Sequence, residues 1–452
     1  MKKSKLVAAT AAFALIVAAC TSTSVEPSTS RTPETSTTTP AVSTTQDPGT
    51  GSTSTADASD PDPAIVAALK AEIDPLIDIT EELRGIQFLR RPEVVVISTA
   101  QMAARVRDDI EEEIDLEDIA ITDRMFRLLG MMGPDDALAE IYPELYAEQV
   151  AGFYDGDTQE LVVAADTAEL SALTKSVVVH ELVHALTDQY FEFHDTMTDL
   201  ADAEGRSEEV AALQALAEGD ATYFQFLYLQ QLPLLEQAAM LVEAQDVPTD
   251  VLDSAPSFLA ESLGFPYTTG FVFVQSLMDL GGAAALDRAY ESLPVTTEQI
   301  MHPDRYRSGE GPRTVAPPKV VLDGWQLQVA DTFGEWGLNL LFLDSVSRGD
   351  RVVATNGWGG DSYSVYYNAD DVAFVMRYVG DSEEDAVEVA QALIDHTEGT
   401  LGLGDGVTDG GGRLWDTGDT YAFVDRIGDG LVYIISSDPA AGRSIRAQVS
   451  VP

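Results

Sequence analysis

The segment His180-Glu181-Leu182-Val183-His184 constrains this chain more than any other feature of it. On a helix, two histidines four apart point from one face, and their rings can share a metal ion. The glutamate after the first histidine leans towards the open coordination position, where it can take a proton from a water molecule. The chain has only five histidines, so a chance match to this pattern is expected about 0.005 times. From Thr174 to Phe191 there is no Pro or Gly, and apolar residues surround the three polar ones. Burying such groups without partners costs several kcal/mol, so a helix of this composition needs a cation to justify it.

Two histidines do not complete a zinc site; a third protein ligand is needed, with a fourth position left for water. A metzincin arrangement would place Gly and then His just after the motif, where this chain has Thr187 and Tyr190. An all-histidine site could use His194, although it lies where the helix should be ending. A gluzincin arrangement takes a glutamate from a later helix. Glu218 is the candidate, because Ala215-Leu-Ala-Glu-Gly-Asp-Ala-Thr-Tyr223 puts a carboxylate in the middle of an otherwise apolar helix. Gly219 beside it costs about 1 kcal/mol of helix propensity, which close approach of two helices around a metal would offset. Glu204, Glu208 and Glu209 lie in polar surroundings and read as solvated surface. Asp188 and Asp220 are placed to orient a ligand histidine from behind.

His180-Glu-Leu-Val-His-Ala-Leu-Thr-Asp-Gln-Tyr-Phe191 followed by Glu218-Gly-Asp-Ala221 resembles the gluzincin group of zinc metallopeptidases. More narrowly, the chain resembles a group of secreted or lipid-anchored bacterial HExxH proteins. The shared segments are Pro266-Tyr-Thr-Thr-Gly270, Thr297-Glu-Gln-Ile-Met-His-Pro303 and Gly357-Trp-Gly-Gly-Asp361, and the likeness covers residues 140–365 or so. The resemblance implies a peptide or protein substrate, zinc held by His180, His184 and Glu218, and Glu181 as general base. It also implies a donor for the developing oxyanion, for which His302 and Tyr267 are the candidates. A rival reading keeps the zinc but not the turnover, as a surface lipoprotein that uses the fold for binding or assembly. Retention of Glu181 speaks against that rival, since a structural site needs no base.

The N-terminus reads Met1-Lys-Lys-Ser-Lys5, then 14 residues from Leu6 to Ala19 that are almost all apolar, then Cys20, the single cysteine. This is the grammar of a secretory signal, and it is too short to span a bilayer comfortably. Val17-Ala-Ala-Cys20 resembles the lipobox of bacterial lipoproteins, which implies lipidation of Cys20 and an extracytoplasmic, membrane-anchored protein. Residues 21–60 contain 26 Ser, Thr or Pro. Such a segment cannot bury enough surface to offset chain entropy, so it reads as a disordered tether with a reach of roughly 35 Å. The 76 acidic and 26 basic residues give a formal charge of −50, which excludes nucleic acid and anionic lipid as natural partners.

The expected fold class is α+β. Residues 61–322 read as a mostly helical zincin-like domain with a small sheet, and 323–452 as a smaller α+β domain. Helices are expected over 62–90 and 99–149, with a strand over 94–98 and a hairpin pairing 150–155 with 160–165. That hairpin would offer the edge on which an extended substrate adds as a strand. Asp166 with Glu169 reads as a helix start, 194–206 as a polar loop and 207–231 as a long helix. Further helices are expected over 270–280, 282–292 and a short run ending at His302. The rest reads as strands over 362–367, 372–379, 420–426 and 430–436, a helix over 382–396 begun by Asp381 and Glu384, and a glycine-rich loop at 402–412. Trp358–Asp361 reads as a tight turn and Asp155-Gly-Asp157 as the hairpin turn.

Overall fold

Pro63 needs no donor at the start of a helix, and the Asp62 carboxylate accepts from Ala64 N–H. Together they begin α1 (Pro63–Arg84) in the computed structural model, which describes residues 60–149 and 152–452. The lipobox and the tether therefore fall outside the described residues, as do Val150 and Ala151 of the expected hairpin. β1 (Glu93–Ile97) follows, then α2 (Thr99–Glu113), begun by a capping box of Ser98 and Gln101, α3 (Leu116–Leu128) and α4 (Leu138–Gln149). β2 (Gly152–Asp155) and β3 (Glu160–Ala164) form the hairpin. The sheet order is β1-β3-β2, with β1 parallel to β3 and β2 at an edge. Leu161 and Val163 pack towards α1 and the next helix, whereas Phe153 and Val162 pack towards α2.

That next helix, α5 (Ala172–Phe191), carries the HExxH segment, and every residue from Ser176 to Asp188 is buried. It begins at Ser171, whose hydroxyl accepts from Thr174 N–H, and not at Asp166, whose carboxylate accepts from Thr99 N–H instead. It ends where Glu192 takes a left-handed conformation. The expected polar loop is in fact a helix, α6 (Phe193–Asp202). Phe193, Met197, Leu200 and Ala201 recur at helical spacing and pack onto α7 (Ser207–Gln231), which outweighs the polar residues between them. α8 (Leu234–Ala244) and α9 (Asp250–Ser254) lead to α10 (Ser257–Gly281). α10 includes Pro266 and begins well before the expected start at Gly270. α11 (Ala283–Glu291), α12 (Thr297–Met301) and α13 (Pro303–Ser308) complete the helical part.

The remainder holds β4 (Gln326–Asp331), α14 (Gly334–Leu341), α15 (Arg348–Thr355), β5 (Trp358–Tyr367), β6 (Val372–Gly380) and α16 (Glu383–Gly399). β7 (Val407–Asp409), β8 (Gly412–Asp416), β9 (Tyr421–Ile427), β10 (Gly430–Ser436) and α17 (Pro439–Arg446) follow. The strands form one antiparallel sheet in the order β4-β5-β6-β10-β9-β8-β7. Its central strands read as unbroken apolar runs because both faces are covered. Leu431, Tyr433 and Ile435 enter one core with α14 and α16, whereas Val432 and Ile434 enter another with α17. Met125 of α3 and the adjoining Leu129 belong to the first of these cores, so an N-terminal helix helps to build the C-terminal part. The architecture is α+β, as expected.

Three local readings are corrected here. Trp358–Asp361 opens β5 with a bulge and is not a free turn; Trp358 Nε1 donates to the Asp361 carboxylate, which also accepts from Phe333 and Gly334 N–H. The cap of α16 is Ser382 with Asp385, one residue past the expected pair. The glycine-rich loop contains β7 and starts β8.

Candidate metal centre

α5 and α7 pack against each other with His180, His184 and Glu218 facing inward. His180 Nε2 lies 3.1 Å from Glu218 Oε2, His184 Nε2 lies 3.3 Å from the same oxygen, and the two ring nitrogens are 3.1 Å apart. A tetrahedral zinc with bonds of 2.0–2.1 Å separates its donors by about 3.3 Å, so these spacings fit that ion. Two imidazole nitrogens and a carboxylate oxygen that converge at such distances are mostly acceptors, and a cation satisfies all three at once. The group is buried, with Glu218 only 4% exposed. Against the pull of burial, the Glu218 carboxylate raises His184 above the usual histidine range, and the two histidines hold Glu218 down. Burial lowers His180.

Glu181 sits between the ligands in sequence and is 1% exposed. Its Oε2 accepts from Tyr154 N–H at 2.9 Å, on the edge strand β2, and its Oε1 is buried with no hydrogen-bond partner. Burial pushes this carboxyl up to about 8. Tyr154 was not foreseen from the sequence. Its phenol donates to Asp188, which also accepts from His194 N–H, so the hairpin is clamped to the end of α5. His194 therefore stands apart from the three ligand atoms, its ring paired with Asp157 and lying over Gly156, where a Cβ would meet it at 2.1 Å.

Asp220 does not reach a ligand histidine either. It accepts from Thr187 Oγ1 and Tyr290 OH, and it pairs with Arg84 at 3.3 Å. Arg84 is itself buried and also meets Asp287 at 2.8 Å. An arginine near Glu218 could have competed for it; here the arginine serves Asp220. This network ties α1, α5, α7 and α11 together just below the metal ligands. Arg84 carries no sequence signal, being one basic residue at the end of a helix.

Of the two candidate oxyanion donors, Tyr267 is at the site. Its ring stacks on His180 with centroids 6.0 Å apart. His302 is placed elsewhere: its Nε2 lies 3.0 Å from Glu335, a buried carboxylate that needs a partner, and the ring is committed to the joint between α12 and α14. The segment Thr297–Pro303 builds that joint. Thr297 donates to the buried Glu208, and Arg305 just beyond it meets Glu298, Glu310 and Asp381. Glu208, read as surface, is thus internal, and the acidic cluster around Arg305 already holds its cation.

The segment Pro266–Gly270 has two uses. It presents Tyr267, and it lets α10 cross α7 with almost no separation. A Cβ on Gly219 would lie 2.3 Å from Gly270 O, and one on Gly270 would lie 2.1 Å from Ala215 O. Gly219 does serve a close helix approach, but the partner is α10 and not the other metal-bearing helix.

A family model described as a domain of unknown function, DUF8575, matches residues 324–445. That span covers the seven-stranded sheet and stops short of the metal ligands. No curated protein and no solved structure matches the chain.

Proposed function

We propose that this chain is a zinc-dependent metallopeptidase of the gluzincin type, held outside the cytoplasm by a lipid on Cys20. The observation that supports this best is the pairing of three converging donor atoms with Glu181, whose one oxygen is fixed and whose other is free. Zinc, when bound by His180, His184 and Glu218, would polarise a carbonyl and acidify a water. The chain's own groups do the rest. Tyr154 N–H fixes Glu181 Oε2, which leaves Oε1 to take a proton from water and pass it to the leaving amine. Tyr267, against His180, is the candidate donor to the oxyanion. The edge strand β2 beside Glu181 is where an extended peptide would align.

Glu181→Gln separates this reading from its rival. It should retain zinc and the fold, measured by elemental analysis and circular dichroism, while hydrolysis of a peptide library falls by three or more orders of magnitude. A parent protein that holds stoichiometric zinc but cleaves nothing in the library would favour a binding role for the same site.

A further inference from the structure

α8 is turned inside out. At 100° per residue, Leu234, Leu235, Ala238, Ala239, Leu241 and Val242 fall within one arc of about 160° that contains no polar residue. That arc faces outward: Leu234 and Leu235 are 83% and 82% exposed, and Val242 is 63% exposed. Met240, Gln237 and Glu243 point the other way, into or along the body. A surface helix normally does the reverse, so the outward face needs a partner of its own.

Three observations narrow that partner. One is area. Six side chains of an 11-residue helix cover far less than the roughly 800 Å² per side that stable dimers bury. Self-association would also bring together two bodies drawn from a chain of charge −50. A second is position. Ile65, Val66 and Leu69 at the start of α1 pack in the same core as Leu229 and Leu232, which lead directly into α8. The body is therefore joined to residues 21–60 at the end that carries the apolar helix. The third is charge: Glu236 and Glu243 on the helix, with Asp246 just past it, oppose an anionic surface.

We propose that α8 is a membrane-docking helix, which lies in the headgroup–acyl boundary of a neutral bilayer beside the point where the tether enters the body. Eleven residues are too few to cross a membrane but enough to rest in its interface. An apolar helix at the foot of the tether would add a contact that holds the body itself against the bilayer. The inference does not depend on the metallopeptidase reading.

The test uses the full chain with Cys20→Ser, so that Leu235→Cys can carry an environment-sensitive fluorophore as the sole thiol. Vesicles of phosphatidylcholine should shift its emission to the blue, whereas a label at Val407→Cys on the far sheet edge should not move. Leu234→Glu with Val242→Glu, in the Leu235→Cys background, should weaken that vesicle response at least tenfold. Vesicles rich in phosphatidylglycerol should bind more weakly at low salt and recover as salt is added. No response at Leu235, or an equal response at Val407, would overturn the proposal. So would a shift that tracks protein concentration without lipid, which would mean a second copy covers the helix.

Discussion

The candidate metal ligands stand out in the sequence because each breaks a rule that composition alone can detect. His180, Glu181 and His184 are polar residues in an apolar helix, and Glu218 is another. Their mutual distances then depend on a fold that no spacing reveals. On this geometry, Glu218→Gln should weaken zinc binding by two or more orders of magnitude, because a neutral amide oxygen is a poorer ligand than a carboxylate. His194→Ala should leave the zinc in place, since that ring pairs with Asp157; competition with a chromophoric chelator measures both. Tyr154 and Arg84 lay beyond reach of the sequence. One acts through its backbone N–H, which every residue type except proline carries, and the other acts through a partner 136 residues away. His302 shows the opposite error. A histidine at a helix end looks chemical, yet here it partners a carboxylate that the fold has buried.

Among the elements, legibility followed the apolar content of the helix rather than its length. α7 matches its expected span, whereas α6 was hidden because its polar residues outnumber Phe193, Met197, Leu200 and Ala201. The expected helix over 270–280 fell short of α10: Pro266 inside it removes one donor, but burial of α10 against α7 outweighs the loss. The Gly219–Gly270 crossing belongs to this scale. Gly270→Ala should raise helix propensity by about 1 kcal/mol and yet destabilise the protein by about 1–3 kcal/mol, because the new methyl would overlap the Ala215 carbonyl. Gly264→Ala, where a Cβ meets nothing, should not destabilise. Chemical denaturation of the two variants distinguishes crowding from propensity. The Gly270 variant should also bind zinc less tightly, since separating α10 from α7 disturbs the helix that carries Glu218.

At the scale of the molecule, the two parts share a core, and a histidine marks the joint. His396 of α16 donates to Leu129 O at 2.9 Å, and burial lowers its pKa to about 4. The native protein keeps this ring neutral, whereas the unfolded chain takes up a proton below about 6.5. The unfolded state therefore binds more protons between these values. Stability from this group is complete above pH 6.5 and is lost as pH falls towards 4, by about 3 kcal/mol. His396→Gln should lose less across that window than the parent, in denaturation curves taken at each pH. The sequence placed a change of grammar near residue 323, and the sheet does begin at Gln326. It could not show that Met125 and Leu129, with Phe126 beside them, would be claimed by that sheet, because contact at such separation leaves no local pattern. The order of synthesis gives this a temporal meaning. α3 emerges some 300 residues before β10, the strand that completes the core around it. Until then the part of its apolar face that holds Met125 lacks its full cover, which leaves the nascent chain open to aggregation and proteolysis. A chain truncated before Gly430 should be degraded rather than accumulate as a half-built protein, so the last strands act as a completeness check on the core translated before them.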